Sequence, residues 1–304
     1  MRYSFLTADV FTDRQFGGNQ LAVFPDGQGL SSAQMQSIAR EFNYSETVFV
    51  LPPDDPAHTC RLRIFTPGEE LPFAGHPTIG TAFILTVTGK IVVGEESTRA
   101  VFEEGAGPVP VTIRGRAEGD GFYAQLTAPR LPEYDTEPPS VEDLARVLQL
   151  SPDQLMTGLY CPEAVSCGVP FLFVPLRSLA AVRQASIDKE AWREVLSAYW
   201  TPQIYPFSFE TESPGVDIHA RMFAPGLGVE EDPATGSAAA ALAGYLAARD
   251  ERSEGTRKWT IEQGLEIGRP SRLDIEADKQ AGAITAIRVG GSAVAVMRGE
   301  LELV

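Results

Sequence analysis

Apolar and polar residues alternate with a period of two along several short segments of the chain, and this alternation predicts β-strands. In Arg61–Phe65, for example, arginines alternate with Leu62 and Ile64. In the second half of the chain, Cys167–Leu176 is an apolar run typical of a buried strand. The other strands that the pattern predicts are Tyr3–Val10, Gln20–Phe24, Glu46–Leu51, Ile91–Val93, Ala100–Phe102 and Val109–Ile113.

Apolar residues at helical spacing predict five helices. The first is capped by Ser31 or Ser32 and runs to about Phe42. The last, Gly236–Ala248, has no polar face, and a helix that is apolar all round belongs inside a structure. The remaining three predicted helices are Pro77–Val87, Val141–Leu150 and Asp188–Tyr199.

Two stretches of sequence occur twice. Six residues starting at Arg63 (Arg-Ile-Phe-Thr-Pro-Gly) match six starting at Arg221 (Arg-Met-Phe-Ala-Pro-Gly), 158 positions later. In the same way, His76-Pro77 matches Asp232-Pro233, 156 positions later. Because this offset is about half the chain, we expect an α+β fold with two pseudo-symmetric halves. Each half is predicted to be a barrel-like, mostly antiparallel sheet around one central helix.

The composition shifts toward proline and acidic residues at Leu131–Ser140, and we interpret this stretch as the linker between the halves. The first half is then predicted to span residues 1–130 and the second half residues 131–304. The sequence leaves open whether the C-terminal strand packs back on the first half.

The charge of the chain narrows its possible partners. The 25 basic and 41 acidic residues give a net charge of −16, and the basic residues form no cluster, so neither nucleic acid nor an anionic membrane is an expected partner. The first residues lack the pattern of a signal peptide, which favours a cytoplasmic protein. Three irregularly spaced cysteines and three histidines suit reduced thiols and give no zinc-ligand spacing, so no metal site is expected.

His76 and Asp232 each precede a proline at the start of an apolar helix. If the halves are related, the two ionisable groups occupy equivalent positions beside one cleft. Helix N-termini carry unpaired N–H groups and a positive dipole end, so a substrate carboxylate could bind there close to Gly75, Gly236 and Ser237. The alternative is structural, because Asp is a favoured N-cap and Pro a favoured first helical residue.

Glu46 is a third candidate, since it follows Ser45 and precedes the apolar run of a predicted strand. A carboxyl group partly removed from water there could move protons at carbon. The alternative is a solvated glutamate at the start of a strand. Asn19 is either a turn residue or a ligand contact. Signatures of serine hydrolases, P-loops and dinucleotide-binding proteins do not occur in the sequence.

Five motifs in this order resemble those of the PhzF family, which includes the phenazine-biosynthesis isomerase, and the resemblance runs nearly end to end. It implies a diaminopimelate-epimerase-like fold with the site between the halves, a homodimer, and catalysis without a cofactor. The motifs are Gly18–Phe24, Ser45–Val50, Glu70–Pro77, Glu231–Ala238 and Gln263–Ser271.

The resemblance implies roles for individual residues. Glu46 would be the general acid/base that moves a proton on a substrate such as trans-2,3-dihydro-3-hydroxyanthranilate, supported by His76 and Asp232. A small carboxylate substrate would contact Gly75, Gly236, Ser237, Asn19 and Ser45. Two alternatives stay open: an amino-acid racemase or epimerase that uses bases other than cysteine, and a binding or regulatory protein without turnover.

Overall fold

The computed structural model describes residues 1–116, 121–135 and 137–303. The chain forms two units, Met1–Pro129 with the C-terminal segment from Val289, and Arg130–Arg288. The helices are α1 (Ser32–Phe42), α2 (Gly75–Val87), α3 (Val141–Leu148), α4 (Leu179–Gln184), α5 (Lys189–Leu196) and α6 (Gly236–Arg249).

The strands are β1 (Arg2–Val10), β2 (Asn19–Phe24), β3 (Glu46–Leu51), β4 (Cys60–Phe65), β5 (Glu70–Leu71), β6 (Thr98–Glu104), β7 (Gly107–Gly115), β8 (Phe122–Thr127), β9 (Glu133–Asp135), β10 (Glu163–Ser166), β11 (Pro170–Pro175), β12 (Ile204–Ser208), β13 (Ile218–Ala220), β14 (Gly255–Gln263), β15 (Ser271–Gln280) and β16 (Ala283–Glu302). Two short 3₁₀ turns lie at Pro152–Gln154 and Pro225–Leu227.

The first unit is a closed barrel in the strand order β1-β2-β3-β4-β6-β7-β8-β16, which closes because β16 also pairs with β1. Most of these pairs are antiparallel, and β2–β3 and β4–β6 are parallel. Helix α2 fills the barrel, and every residue from Gly75 to Thr86 is buried. The amphipathic helix α1 instead packs on the outside, with Met35 and Ile38 against Phe24 and Phe49.

The second unit repeats this plan in the strand order β16-β15-β14-β13-β12-β11-β10-β9. Helix α6 is its central helix, buried from Ala238 to Ala247 and in contact with β10, β11, β14 and β15. Helices α3, α4 and α5 cover a separate apolar cluster that includes Leu144, Leu172 and Ile204. The predicted α+β architecture, with a barrel-like sheet around a central helix in each half, is confirmed.

Three sequence predictions need correction. Ile91–Val93 is not a strand: the N–H of Ile91 donates to the carbonyl of Leu85 at the end of α2, which keeps this segment away from a neighbouring strand. The predicted linker contains the strand β9, which pairs with β10, and its residue 136 lies outside the described residues. The second unit ends at Arg288 rather than at residue 304, because the later part of β16 pairs with β1.

One ion pair occurs in both units in the same form. Arg63 donates through Nε and Nη2 to Glu70 at 2.7 and 2.5 Å, and Arg221 donates through the same atoms to Glu231 at 2.8 and 2.7 Å. Glu70 and Glu231 are 161 positions apart, which differs from both offsets seen in the sequence. The starts of α2 and α6 are separated by the same 161 positions.

A glycine after a strand end also packs on a proline in both units. A Cβ added to Gly105 would lie 2.9 Å from the Cα of Pro72, and one added to Gly264 would lie 3.1 Å from the Cα of Pro233. The two prolines are again 161 positions apart. Pro233 is therefore the counterpart of Pro72.

A histidine–glutamate contact is repeated as well. Nδ1 of His58 lies 2.9 Å from Glu103, and Nδ1 of His219 lies 2.8 Å from Glu262. In each unit, the same glutamate accepts the backbone N–H groups of two consecutive loop residues. The internal duplication is thus visible in contacts as well as in topology.

These contacts correct the alignment of the two halves. The segment that starts at Glu70 (Glu-Leu-Pro-Phe-Ala-Gly-His) corresponds to the one that starts at Glu231 (Glu-Asp-Pro-Ala-Thr-Gly-Ser). The counterpart of His76 is therefore Ser237. The expectation that His76 and Asp232 hold equivalent positions is wrong: His76 is the second residue of α2, whereas Asp232 precedes the first residue of α6 by four positions.

Candidate active site

The parallel strands β2 and β3 begin at one edge of the first barrel, and three predicted site residues lie there. Asn19 opens β2, Glu46 opens β3, and Leu21 and Glu46 are partners in the register. The hydroxyl of Ser45 donates to Oδ1 of the buried Asn19 at 3.1 Å. Gly18 turns the chain into this edge with a φ of 60°, where a Cβ would lie only 2.3 Å from the carbonyl oxygen of Val10.

His76 faces this edge from the first turn of α2. Its Nε2 lies 3.1 Å from Oε2 of Glu46, and the two side chains are only 5% and 15% exposed. The structure therefore brings together four residues that the sequence predicted, Asn19, Ser45, Glu46 and His76, and Gly75 precedes His76 in the same turn.

Burial lowers the pKa of His76 to about 3, although a hydrogen bond to the backbone of Gln20 acts in the opposite direction. The imidazole is therefore uncharged at neutral pH. A bond that raises the pKa is one in which the ring N–H donates, so the carbonyl of Gln20 is the acceptor. Among the described residues, Nε2 has no hydrogen-bond donor or acceptor in good geometry, which assigns the Gln20 bond to Nδ1. Nε2 then carries the lone pair of the neutral ring, and it lies 3.1 Å from Oε2 of Glu46.

The N-cap side chains of the two central helices do not cap the N–H groups of the first helical turn. The N-cap residues are Ala74 for α2 and Thr235 for α6, and neither side chain makes a capping hydrogen bond within the described chain. The N–H groups of a first turn have no partner inside the helix, and the dipole makes that end positive. Each turn can therefore hold an anion, close to Gly75 in the first unit and to Gly236 and Ser237 in the second.

Asp232 lies in the second unit, where it is 7% exposed. Its Oδ2 accepts the hydroxyl of Thr235 at 2.5 Å. Gln263 holds the same segment, because its Nε2 donates to the carbonyl of Asp232 at 2.8 Å and to the hydroxyl of Thr235 at 3.1 Å. Neither Thr235 nor Gln263 was predicted as a site residue from the sequence. Gln263 carried a signal, since Gln263-Gly264 matches Glu104-Gly105 in the first half.

Two of the three cysteines, Cys60 and Cys167, are poor nucleophiles in this fold. Burial raises the pKa of both Cys60 and Cys167 to about 12, so both remain thiols at neutral pH. Residues 1–116, 121–135 and 137–303 contain no group of three or more His, Cys, Asp or Glu side chains arranged to hold a metal ion. In the same residues, none of the helices combines the length and apolar character that crossing a membrane requires.

Known proteins resemble this chain over its whole length. A family model described as phenazine biosynthesis-like protein (PhzC-PhzF) matches residues 8–299. An uncharacterized isomerase of Mesorhizobium japonicum is 41% identical over 304 residues, which cover 98% of each chain. The trans-2,3-dihydro-3-hydroxyanthranilate isomerase of Pseudomonas chlororaphis is 36% identical over 99% of this chain and 100% of its own. The crystal structure of a PhzF-family phenazine biosynthesis protein from Bacillus anthracis is 28% identical, covers both chains completely and superposes with a TM-score of 0.89. The chain therefore belongs to the phenazine biosynthesis-like PhzF family, an isomerase family, as its motifs predicted.

Proposed function

We propose that this protein is a cofactor-independent isomerase that moves a proton between two carbons of a small cyclic amino or hydroxy acid. The observation that carries the proposal is the 3.1 Å contact between Oε2 of Glu46 and Nε2 of an uncharged His76. A carboxyl group with little solvent access, beside a neutral hydrogen-bond acceptor, is equipped to take up and return a proton.

The reaction begins with Glu46 as a carboxylate. It removes a proton from an activated carbon, and the electron pair of the broken C–H bond spreads into the adjacent unsaturated system. Nε2 of His76 can accept the hydrogen bond of the carboxylic acid that this step produces. The acid then returns the proton to a second carbon on the same face, which restores the carboxylate and leaves the isomerised product.

The acidic substrate supplies a carboxylate, which we place at the first turn of α2, where the backbone N–H groups of Gly75 and His76 lie. Such preorganised donors also stabilise enolate-like charge in the transition state. Asn19 and Ser45 are proposed as further contacts at the strand edge. From the family resemblance, we propose that Asp232 supports the proton transfer and that Gly236 and Ser237 contact the substrate.

The names of two relatives indicate the substrate class that we propose. The isomerases of Pseudomonas chlororaphis and Pseudomonas aeruginosa, 36% and 34% identical, are both named for trans-2,3-dihydro-3-hydroxyanthranilate. We propose a compound of this class as the substrate. A homodimer is proposed as the functional form on the resemblance alone, and a cytoplasmic location stays a prediction of the sequence.

The experiment is proton NMR in deuterated buffer with trans-2,3-dihydro-3-hydroxyanthranilate. We expect the wild-type protein to convert it, and folded Glu46→Gln to lose at least about 100-fold in rate, the size of a general acid/base contribution. Glu41→Gln, which removes an exposed carboxylate on α1, is the matched control and should keep the wild-type rate. Conversion by folded Glu46→Gln at the wild-type rate would refute the role of Glu46.

Other outcomes of the same experiment separate the alternatives. Deuterium that enters the α-position of a supplied amino acid would identify a racemase. Binding of the substrate without conversion or exchange, unchanged in Glu46→Gln, would identify a binding protein on the same fold.

A further inference from the structure

Glu104 is a buried carboxyl group that the proposed reaction does not use. It ends β6, is 7% exposed, and points to the N-terminal turn of α2. Its Oε1 lies 2.6 Å from Oγ1 of Thr78, and the backbone N–H of Ala74 lies close enough to the carboxyl group to lower its pKa, although Oε2 has no partner in hydrogen-bond geometry among the described residues. Glu104 thus contacts the turn that carries Gly75 and His76.

The contacts of Thr78 indicate the protonation state of Glu104. Oγ1 of Thr78 lies 2.7 Å from the carbonyl oxygen of Ala74 and 2.6 Å from Glu104. A hydroxyl has one hydrogen to donate, and a carbonyl oxygen can only accept. When Thr78 donates to Ala74, the usual bond of a helical threonine to the residue four positions earlier, the second short contact requires a proton from Glu104.

In the second unit, a residue that cannot ionise contacts the start of the central helix. Gln263 ends β14, as Glu104 ends β6, and each is followed by the glycine that packs on a proline. Nε2 of Gln263 donates to the hydroxyl of Thr235, and its Oε1 accepts the backbone N–H of Thr235 at 3.3 Å. Thr235 is the N-cap residue of α6, as Ala74 is of α2. At the end of each strand, a side chain with one hydrogen-bond acceptor and one donor therefore contacts the start of the central helix.

We propose that Glu104 is a positioning residue which, as an uncharged carboxylic acid, holds the first turn of α2 in the way that the amide of Gln263 holds the start of α6. The carboxylic acid donates to Thr78 and lies close to the N–H of Ala74, and so fixes the orientation of His76 toward Glu46. Only the effect on turnover rests on the proposed function. The protonation state and the hold on the turn do not.

Burial raises the pKa of Glu104 to about 8, even though the N–H of Ala74, and the hydroxyl of Thr78 when it turns toward the carboxylate, favour the charged form. Few other ionisable groups face it. Helix α2 contributes only the uncharged His76, and β4 contributes Cys60, whose thiol pKa the charge of Glu104 raises further. Glu103 on β6 is engaged by His58. On β7, Glu104 is paired with Gly107, which is not ionisable, and the arginines of β4 bind other carboxylates.

Ionisation of Glu104 removes its donor and puts a negative charge beside the helix start. The hydroxyl of Thr78 must then turn toward the new carboxylate and leave the carbonyl of Ala74. We therefore expect the first turn of α2 to loosen as the pH rises above about 8, and binding of an anionic substrate to weaken.

The first test needs no substrate. In protein labelled with carbon-13 at the glutamate carboxyl carbons, we expect one resonance that is absent from Glu104→Gln and remains that of a carboxylic acid up to about pH 8. Amide hydrogen exchange of residues 74–79, except Pro77, should match between the two proteins at pH 6 and be about tenfold faster in the wild type at pH 9. A carboxylate resonance for Glu104 at pH 6, or equal exchange at pH 9, would overturn the proposal.

The second test uses the pH profile of kcat/KM for trans-2,3-dihydro-3-hydroxyanthranilate. Above about pH 8, the wild type should lose activity about tenfold for each pH unit, whereas Glu104→Gln should keep its neutral-pH value. If kcat/KM of Glu104→Gln fell above about pH 8 as it does in the wild type, the positioning role would be refuted. Gln263→Glu is the reciprocal variant, and it should gain faster exchange at the start of α6 at high pH. An inactive wild type would count against the proposed function only, since the first test stands without it.

Discussion

The duplicated ion pair allows one interaction to be tested in two environments of the same chain. Arg63 and Glu70 are 22% and 41% exposed, whereas Arg221 and Glu231 are 10% and 9% exposed. The bidentate geometry is the same in both. Replacement of each arginine by methionine keeps most of the apolar volume and removes the charge, so the two variants differ mainly in burial.

The expected cost follows from what each arginine leaves behind. Arg221→Met leaves the carboxylate of Glu231 buried without its partner, and loss of one partner of a buried pair costs about 3–5 kcal/mol. Nη1 of Arg221 also donates to the carbonyls of Val182, Arg183 and Ala185 around the end of α4. Arg63→Met leaves a glutamate that water can reach, and an exposed pair contributes about 0–1 kcal/mol.

The assay is urea unfolding, followed by circular dichroism for both variants. All three tryptophans, Trp192, Trp200 and Trp259, belong to the second unit, so their fluorescence reports on the unit that contains Arg221. The double variant Arg221→Met/Glu231→Leu should recover the part of the loss that comes from the buried unpaired charge, but not the part that comes from the lost bonds of Nη1. Equal costs for Arg221→Met and Arg63→Met, or no recovery in the double variant, would refute the reasoning.

Two further predictions concern stability. Gly264→Ala should lower the free energy of unfolding in urea by at least about 2 kcal/mol, since φ is +77° and the new Cβ would lie 2.5 and 2.6 Å from backbone carbonyl oxygens. Gly268→Ala is the control: φ is +71°, but no described atom lies within 4 Å of the new Cβ, so the cost should be about 1 kcal/mol. For Glu104, the folded pKa of about 8 lies above the ordinary value of 4.5, so its contribution to stability is complete below pH 4.5 and is lost as the pH rises to about 8. At about 1.36 kcal/mol for each pH unit, the ceiling of this loss is about 5 kcal/mol, and the melting temperature of Glu104→Gln should rise relative to the wild type across this interval. A constant difference between the two melting temperatures from pH 5 to pH 9 would contradict it.

The sequence predicted those elements whose signals are local. Helix α1 begins after Ser31 because the serine hydroxyl and the side chain of Gln34 form a capping box, and its core face follows helical spacing. The strand Glu46–Leu51 was predicted with its observed bounds, since turn residues flank an apolar run. The prediction of a strand at Ile91–Val93 was wrong, because three apolar residues do not reveal that the backbone is already hydrogen-bonded to the end of α2.

The register of the duplication failed for a different reason. In both His76-Pro77 and Asp232-Pro233 an ionisable residue precedes a proline, which suggested an offset of 156 positions between the halves, whereas the contacts require 161. The sequence does contain the correct match, Glu-x-Pro-x-x-Gly at both Glu70 and Glu231, but a proline reveals its structural role only through what packs on it. The Glu46–His76 contact joins residues 30 positions apart on a strand and a helix, and only the fold shows that they meet.

The corrected register changes how the two halves inform each other. Both halves keep the pairs that hold the scaffold: Arg with Glu, His with Glu, and Gly on Pro. The halves differ where a helix start meets its surroundings, at His76 against Ser237, Leu71 against Asp232 and Glu104 against Gln263. Chemical groups therefore cannot be transferred from one half to the other by symmetry. The scaffold is shared, and the positions at which the two copies differ are those from which we expect the chemistry to arise.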